Sequence, residues 1–170
     1  MDFHPHEYQS IAIQRIIDNT HYGLLLDMGL GKTISTLIAI DRLMYDYFDI
    51  KKVLLIAPKK VAESTWAQES QKWSATRRLT VAKVLGSEKE RIQALESESD
   101  IYVINRENVQ WLYEYYHNKK SFPFDMLVID ESSSFKNPQA KRFKAIRKLR
   151  PLFKLSLIHI SEPTRHSLIS

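Results

Sequence analysis

The residues Gly29, Gly31, Lys32 and Thr33 bring together the groups that hold a phosphate in proteins. Glycines let backbone N–H groups turn towards an anion, and a lysine reaches the terminal phosphates of a nucleotide. A helical pattern begins directly after them, and the N-terminus of a helix attracts negative charge. The spacing therefore predicts a phosphate-binding loop in which the Thr33 hydroxyl is a ligand of Mg²⁺. The loop residues expected to hold the nucleotide are Met28, Gly29, Leu30, Gly31, Lys32 and Thr33.

Two acidic residues, Asp130 and Glu131, directly follow the apolar run Met126–Ile129. Acids after a strand are weak evidence by themselves, but here a phosphate-binding loop precedes them by about a hundred residues. In a site that holds phosphate and metal, each carboxylate gains a partner for its charge. We predict that Asp130 holds the magnesium ion and that Glu131 polarises an attacking water.

Short apolar runs recur along the chain and predict the strands that position these residues. They are Tyr22–Leu26, Val53–Ala57, Ile101–Ile104 and Met126–Ile129, with a weaker candidate at Leu79–Val84. Because the runs are apolar throughout, they suit strands buried on both faces of a parallel sheet. Stretches with helical spacing separate them, so we predict an α/β three-layer sandwich that binds ligands at the carboxyl ends of its strands. Ser87 and Asn105 are expected to cap two of the helices.

The 170-residue chain contains no cysteine, no apolar run of membrane-spanning length and no signal peptide, which fits a cytoplasmic protein. Its positive charge is concentrated near the end. Residues 1–135 carry 16 Lys and Arg against 19 Asp and Glu, whereas Lys136–Lys154 contains eight basic residues and no acid. Basic residues there surround Phe143, Ile146 and Leu149, which predicts a helix with an apolar and a basic face. The basic face fits a polyanion-binding surface or a solvated surface.

Two further pairs of residues each have competing interpretations. Trp66 and Trp73 lie seven residues apart, on one face of a predicted helix, and we predict that they pack in the core rather than stack on bases. Lys59 and Lys60 follow the second predicted strand, at the sheet edge where ligands bind. They fit phosphate contacts and plain surface charge equally well.

Several motifs resemble the first RecA-like lobe of superfamily 2 helicases, and within it the Snf-type double-stranded DNA translocases of phages and bacteria. HPHEYQ is similar to the Q motif, LDMGLGKT to motif I, VLLIAPKKVAESTWAQESQKW to motif Ia and VIDESSSFKN to motif II, while IYVINRENVQWL resembles an intervening strand and loop. The resemblance covers about Pro5–Lys154. It is broken at Ser132 and Ser133, where many relatives have Ala-His, so the coupling of hydrolysis to DNA movement would use a different hydrogen bond.

The resemblance implies a P-loop, RecA-like fold and an ATP hydrolase that uses ATP and Mg²⁺. Gln9 would select adenine, Lys32 and Glu131 would be the catalytic residues, and Thr33 and Asp130 would hold the metal.

The resemblance also implies contacts to the DNA backbone, with duplex DNA as the expected partner. The candidate contacts are Lys59, Lys60, Asn105 and Lys136. A second RecA-like lobe is expected in the intact enzyme, which would be monomeric, unattached to a membrane, and located in the cytoplasm of a bacterium or a phage-infected cell.

The end of the chain departs from this resemblance. We expect the helicase-type ATP-binding domain to span residues 1–154 and residues 155–170 to be a non-native read-through tail. The segment LSLIHISEPTR resembles the conceptual translation of a transposon-type sequencing adaptor. The alternative is a divergent final strand, because LSLIHI has a strand-like composition.

We therefore expect the ATP-binding lobe of a DNA-dependent ATPase or translocase, nearly inactive without its partner lobe. A strand-separating DNA or RNA helicase lobe is an alternative within the same class. A small metabolite kinase would carry a lid and an acceptor site, and the sequence shows neither. The remaining alternative is a non-catalytic fragment that binds nucleotide or nucleic acid through the basic segment.

Overall fold

A computed structural model describes residues 1–25, 31–130 and 141–160, in which helices and strands alternate. The helices are α1 (Glu7–Asp18), α2 (Lys32–Asp41), α3 (Trp66–Lys72), α4 (Glu88–Glu96), α5 (Val109–Lys119) and α6 (Lys141–Leu149). The strands are β1 (His21–Leu25), β2 (Val53–Ala57), β3 (Val81–Val84), β4 (Ile101–Asn105), β5 (Met126–Ile129) and β6 (Leu155–Ile160). Short 3₁₀ turns precede or follow several of them, at Ser74–Thr76, Arg106–Asn108 and Arg150–Leu152.

The six strands form one parallel sheet in the order β1-β6-β5-β2-β4-β3. Helices cover both faces, so the predicted three-layer α/β sandwich is confirmed. Strand β2 explains why the apolar runs do not alternate. Val53, Leu55 and Ala57 pack in the core under α1, α2 and α3, while Leu54 and Ile56 pack in the opposite core under α4, α5 and α6. The weaker strand candidate is β3, an edge strand with exposed Lys83.

One of the two predicted helix caps is confirmed and the other is wrong. The Ser87 side chain accepts a hydrogen bond from the backbone N–H of Glu90, and the Glu90 carboxylate accepts one from the backbone N–H of Ser87. Asn105 does not cap α5, because the 3₁₀ turn Arg106–Asn108 intervenes before that helix. Its side chain instead bonds to the side chains of Glu107 and Asn108.

Strand β6 occupies an interior position of the sheet. It is formed by Leu155–Ile160 and pairs with β1 on one side and β5 on the other. Because neighbouring strands lie about 4.8 Å apart, an empty position here would separate β1 from β5 by about 10 Å. The fold therefore requires a strand at this place, and the composition of LSLIHI suffices to form one. Residues 161–170 lie outside the described residues.

Within the described ranges, no helix combines the length and the apolar character that crossing a membrane would require.

Candidate functional site

The phosphate end of the site is built at the junction of Gly31 and α2. Gly31 precedes the helix with φ +80° and ψ 35°, in the left-handed region that favours glycine. A Cβ atom at this position would collide with the Gln9 carboxamide and would lie 3.3 Å from Cγ2 of Ile34. Glycine is therefore required both by the backbone conformation and by the close approach of α1.

Lys32 and Thr33 form the first turn of α2, as the sequence predicted, and both are half-buried. The positive end of the helix and the lysine charge meet at this turn, which makes it suited to an anion. Three predicted nucleotide contacts, Met28, Gly29 and Leu30, lie outside the described residues.

Asp130 lies at the carboxyl end of β5, next to the end of the adjacent strand β2. Its backbone N–H donates to the carbonyl oxygen of Ile56 at 2.8 Å, which fixes the main chain at this point. The side chain is 13% exposed and accepts hydrogen bonds from Nε1 of Trp66 at 3.1 Å and from Nδ1 of His159 at 3.3 Å. With Nδ1 as the donor, Nε2 of His159 is left to accept from the Thr36 hydroxyl at 2.7 Å.

These contacts keep the Asp130 carboxylate charged. Burial alone would raise the pKa of Asp130, but the bonds from His159 and Trp66, together with the charge of Lys32, hold that pKa below its ordinary value. A buried, ionised carboxylate close to Lys32 and to the first turn of α2 fits the oxygen donor that Mg²⁺ prefers. Thr33 and Asp130 are thus the described residues that would hold the ion. Glu131, and with it Ser132 and Ser133, lies outside the described residues.

Trp66 has a role that the sequence did not reveal. The side chain is completely buried, which confirms the prediction of core packing. Its indole N–H, however, also orients the Asp130 carboxylate. An indole donor is invisible in the apolar pattern that predicts a core tryptophan. The sequence placed Trp66 on the helix after the run Val53–Ala57, and only the structure shows that this strand is the neighbour of β5.

Gln9 forms the other end of the site, on α1. Only 6% of this residue is exposed, and its Oε1 accepts a hydrogen bond from the backbone N–H of His6 at 2.9 Å. Its Nε2 lies against Gly31, so the residue expected to select adenine contacts the phosphate-binding segment directly. Tyr8 is partly exposed next to it, and its ring stacks on His6 with centroids 5.6 Å apart.

A cleft of about 510 Å³ opens beside Gln9 and Gly31. The N-terminal residues Met1–His4 form one wall, and Glu69 and Trp73 form another. Trp73 is half-buried and packs edge-on against Phe3, with ring centroids 5.2 Å apart. The cleft therefore continues the phosphate end of the site into a pocket with aromatic and polar walls.

The predicted nucleic-acid contacts differ in how accessible they are. Lys59 and Lys60 are exposed just beyond the carboxyl end of β2, where the prediction placed them. Asn105 ends the neighbouring strand β4 opposite Ala57, but it is buried. Since its carboxamide is bonded to Glu107 and Asn108, a phosphate could contact it only after rearrangement. Lys136 lies outside the described residues.

Helix α6 has the two faces that its sequence predicts. Ile146 and Leu149 are buried against the sheet side, while Lys144, Arg147 and Lys148 are exposed. The ammonium group of Lys148 lies 5.1 Å from the ring centroid of Tyr113 on α5. These positions are compatible with both earlier interpretations of the basic face, as a polyanion surface and as a solvated surface.

The fold and the site define a nucleotide-binding α/β domain of the RecA-like helicase type. The sequence model of the SNF2-related domain matches residues 8–157. The chain therefore belongs to the SNF2-related domain family.

Relatives and solved structures agree with this assignment. The chain is 35% identical over 136 residues to putative protein p41 of Acyrthosiphon pisum secondary endosymbiont phage 1. This match covers 79% of the chain and 29% of the phage protein. The chain is also 29% identical over 151 residues to the chromatin remodeling factor mit1 of Schizosaccharomyces pombe. That match covers 81% of the chain and 10% of mit1. The Sulfolobus solfataricus SWI2/SNF2 ATPase core in complex with dsDNA superposes with a TM-score of 0.73 at 23% identity, covering 99% of this chain and 34% of that core. The chain thus spans less than a third of the length of p41 and of mit1, and about a third of the Sulfolobus core.

Proposed function

We propose that this chain is the ATP-binding lobe of a DNA-dependent ATPase that translocates along duplex DNA. The observation that carries the proposal is the convergence of three parts at one end of the sheet: the Gly31–Thr33 helix start, the buried carboxylate of Asp130 held by Trp66, and Gln9 packed over Gly31. Membership of the SNF2-related family supports the choice of reaction.

In the proposed reaction the described residues bind and orient ATP. Lys32 and the N–H groups at the start of α2 hold the terminal phosphates, and Gln9 holds the base. Thr33 and Asp130 hold Mg²⁺, which when bound neutralises charge on the β- and γ-phosphates. Trp66 keeps the Asp130 carboxylate in position. Glu131 is proposed to orient the attacking water, as predicted from its place after Asp130.

A second RecA-like lobe is part of this proposal, because such lobes close over the nucleotide and contribute arginine side chains. An arginine of this kind is typically worth about 10³ to 10⁵ in rate. The 170-residue chain is therefore expected to bind ATP·Mg²⁺ weakly and to hydrolyse it barely above background. A DNA-stimulated turnover of about 1 per second or more from this chain alone would contradict the proposal.

The intact enzyme allows the nucleic-acid partner to be tested. ATP hydrolysis should be measured with duplex DNA, single-stranded DNA and RNA at several salt concentrations, because phosphate contacts make binding salt-dependent. Stimulation by duplex DNA alone is the expected result. Stimulation by single strands or by RNA would instead support a strand-separating helicase. We also propose that the enzyme acts as a monomer in the cytoplasm of a bacterium or a phage-infected cell, in keeping with its phage relative.

We further propose that the natural gene does not encode Leu155–Ser170. In that case another segment fills the place of β6, and the bonds made by His159 and Ser156 do not belong to the natural site, whereas the bond from Trp66 to Asp130 does. The coding DNA provides the test, since the proposal requires the adaptor sequence across Leu155–Arg165. Any other codon string there would mean that the segment is a genuine final strand.

A further inference from the structure

The cleft beside Gln9 and Gly31 contains a hydrogen-bond acceptor that the Q motif does not include. Its lining residues include two carboxylates, Asp2 and Glu69. Asp2 is exposed and accepts a hydrogen bond from the Ser74 hydroxyl at 2.6 Å. Glu69 is half-buried and extends from α3, the helix that also carries Trp66. Glu69 is thus the carboxylate held within the wall of the cleft.

The Glu69 carboxylate is fixed by its neighbour Trp73. Nε1 of Trp73 donates to Oε1 of Glu69 at 2.9 Å. The Trp73 ring is itself held between Phe3, which packs edge-on, and the ammonium group of Lys72, 4.9 Å from the ring centroid. Within the part of the chain that the structure describes, no donor bonds to Oε2 of Glu69. One carboxylate oxygen is therefore used to hold the group in place, and the other is available to a ligand.

An adenine 6-amino group carries two N–H donors, and Gln9 has at most one acceptor lone pair for them, because its Oε1 already accepts the N–H of His6. The same bond turns Nε2 of Gln9 towards Gly31. The carboxamide consequently presents a donor on the Gly31 side of the cleft. Adenine carries an exocyclic 6-amino group, which needs an acceptor, whereas guanine carries a carbonyl oxygen at the same position. An ionised carboxylate only accepts, so it favours the amino group and repels the carbonyl.

Helix α3 is placed to serve both ends of one nucleotide. Trp66 bonds to Asp130 at the metal end, while Glu69 and Trp73 line the base end. Glu69 follows Trp66 by three residues, about 4.5 Å along the helix axis, and its carboxylate bonds to Trp73, which lies just past the end of α3.

We propose that Glu69 accepts a hydrogen bond from the 6-amino group of the bound adenine nucleotide and that Trp73 is the residue that positions it. This inference rests on the proposed function, because it assumes that the cleft holds the base of ATP. It adds a specificity-determining residue outside the Q motif, and it predicts that discrimination against guanine depends on α3.

The test compares the affinities of the 170-residue chain for ATP, GTP and purine riboside triphosphate, which has hydrogen in place of the 6-amino group. Calorimetric or fluorescence titrations in Mg²⁺ should show wild-type protein binding ATP about tenfold more tightly than purine riboside triphosphate. Glu69→Ala should bring that ratio close to one and reduce the preference over GTP. Glu69→Gln, which keeps an acceptor, should retain part of it. Trp73→Phe, which keeps an aromatic ring but removes the positioning N–H, should give an intermediate ratio.

Glu63→Ala is the matched control, because Glu63 is an exposed glutamate just before α3 that does not line the cleft. It should leave all three affinities unchanged. If Glu69→Ala binds ATP with the wild-type ratio over purine riboside triphosphate, or if wild-type protein has no such preference, the inference is wrong while the ATP site stands. If folded wild-type protein binds none of the three nucleotides, the proposed function itself fails.

Discussion

Replacing Gly31 by alanine tests the geometry on which the phosphate end depends. At φ +80° an L-residue costs about 1–2 kcal/mol relative to glycine. The added Cβ would also push the Gln9 carboxamide away from its place, and the hydrogen bond that Gln9 accepts from His6 is worth about 0.5–1.5 kcal/mol. Gly31→Ala should therefore lower the free energy of unfolding by about 2–3 kcal/mol. ATP affinity should fall by about tenfold or more, because Gln9 and the N–H groups of the loop are both displaced.

Gly86 provides a matched control for this experiment. It too has a positive φ, +86°, but it lies before α4 and away from the nucleotide site. An added Cβ there would meet the Glu90 carboxylate, the far end of a flexible side chain that takes part in the Ser87 cap. Gly86→Ala should lose about 2–3 kcal/mol of stability, because it likewise displaces a hydrogen-bonded side chain, and should keep its ATP affinity. Urea unfolding and ATP titrations of both variants decide the matter. Equal ATP affinity of the Gly31→Ala and wild-type proteins would refute the assignment of Gly31 to the site.

Three further substitutions have distinct expected outcomes. Trp66→Phe removes the indole bond to Asp130 and should weaken Mg²⁺-dependent ATP binding about tenfold. Because that bond lowers the pKa of Asp130, it stabilises the folded protein above about pH 4, and this stabilisation is lost on acidification. The stability of the variant should therefore change less with pH in acid than that of the wild-type protein. Lys59→Ala in the intact enzyme should reduce the slope of DNA affinity against salt concentration by about one phosphate contact. Lys51→Ala, which lies before the amino end of β2, should leave that slope unchanged. Equal slopes for Lys59→Ala and wild-type protein would exclude Lys59 as a contact. Ser87→Ala should cost about 1 kcal/mol of stability, seen as a lower thermal midpoint, and unchanged ATP affinity would place the cap outside the site.

The sequence predicted most of the fold because burial on both faces of a sheet leaves a strong pattern. The runs Val53–Ala57 and Met126–Ile129 match β2 and β5 residue for residue. Edge strand β3 was harder to recognise, since exposed Lys83 interrupts its apolar run. The Asn105 cap was wrong because short-range propensity cannot distinguish an asparagine that bonds to neighbouring side chains from one that caps a helix.

The site could be predicted only to the extent that its residues belong to local motifs. Lys32, Thr33 and Asp130 lie where their spacing indicated, at the start of α2 and the end of β5. The partners that orient them come from elsewhere in the chain. Trp66 is 64 residues from Asp130 in sequence, and the wall formed by Glu69 and Trp73 faces Gln9 only after folding. Such contacts depend on the packing of helices over the sheet, which no local pattern encodes.

The most direct test of the account is the affinity of the 170-residue chain for ATP·Mg²⁺, compared with that of Lys32→Ala. A charge-assisted contact to phosphate is worth about 1.5–3 kcal/mol, so the substitution should weaken binding about tenfold to a hundredfold. Lys83→Ala, which removes an exposed lysine from the edge strand, should have no effect. Specific ATP binding that is lost in Lys32→Ala and kept in Lys83→Ala is the predicted result. Binding that survives Lys32→Ala, ignores the nucleotide and weakens steeply with salt would instead identify a non-catalytic polyanion-binding fragment.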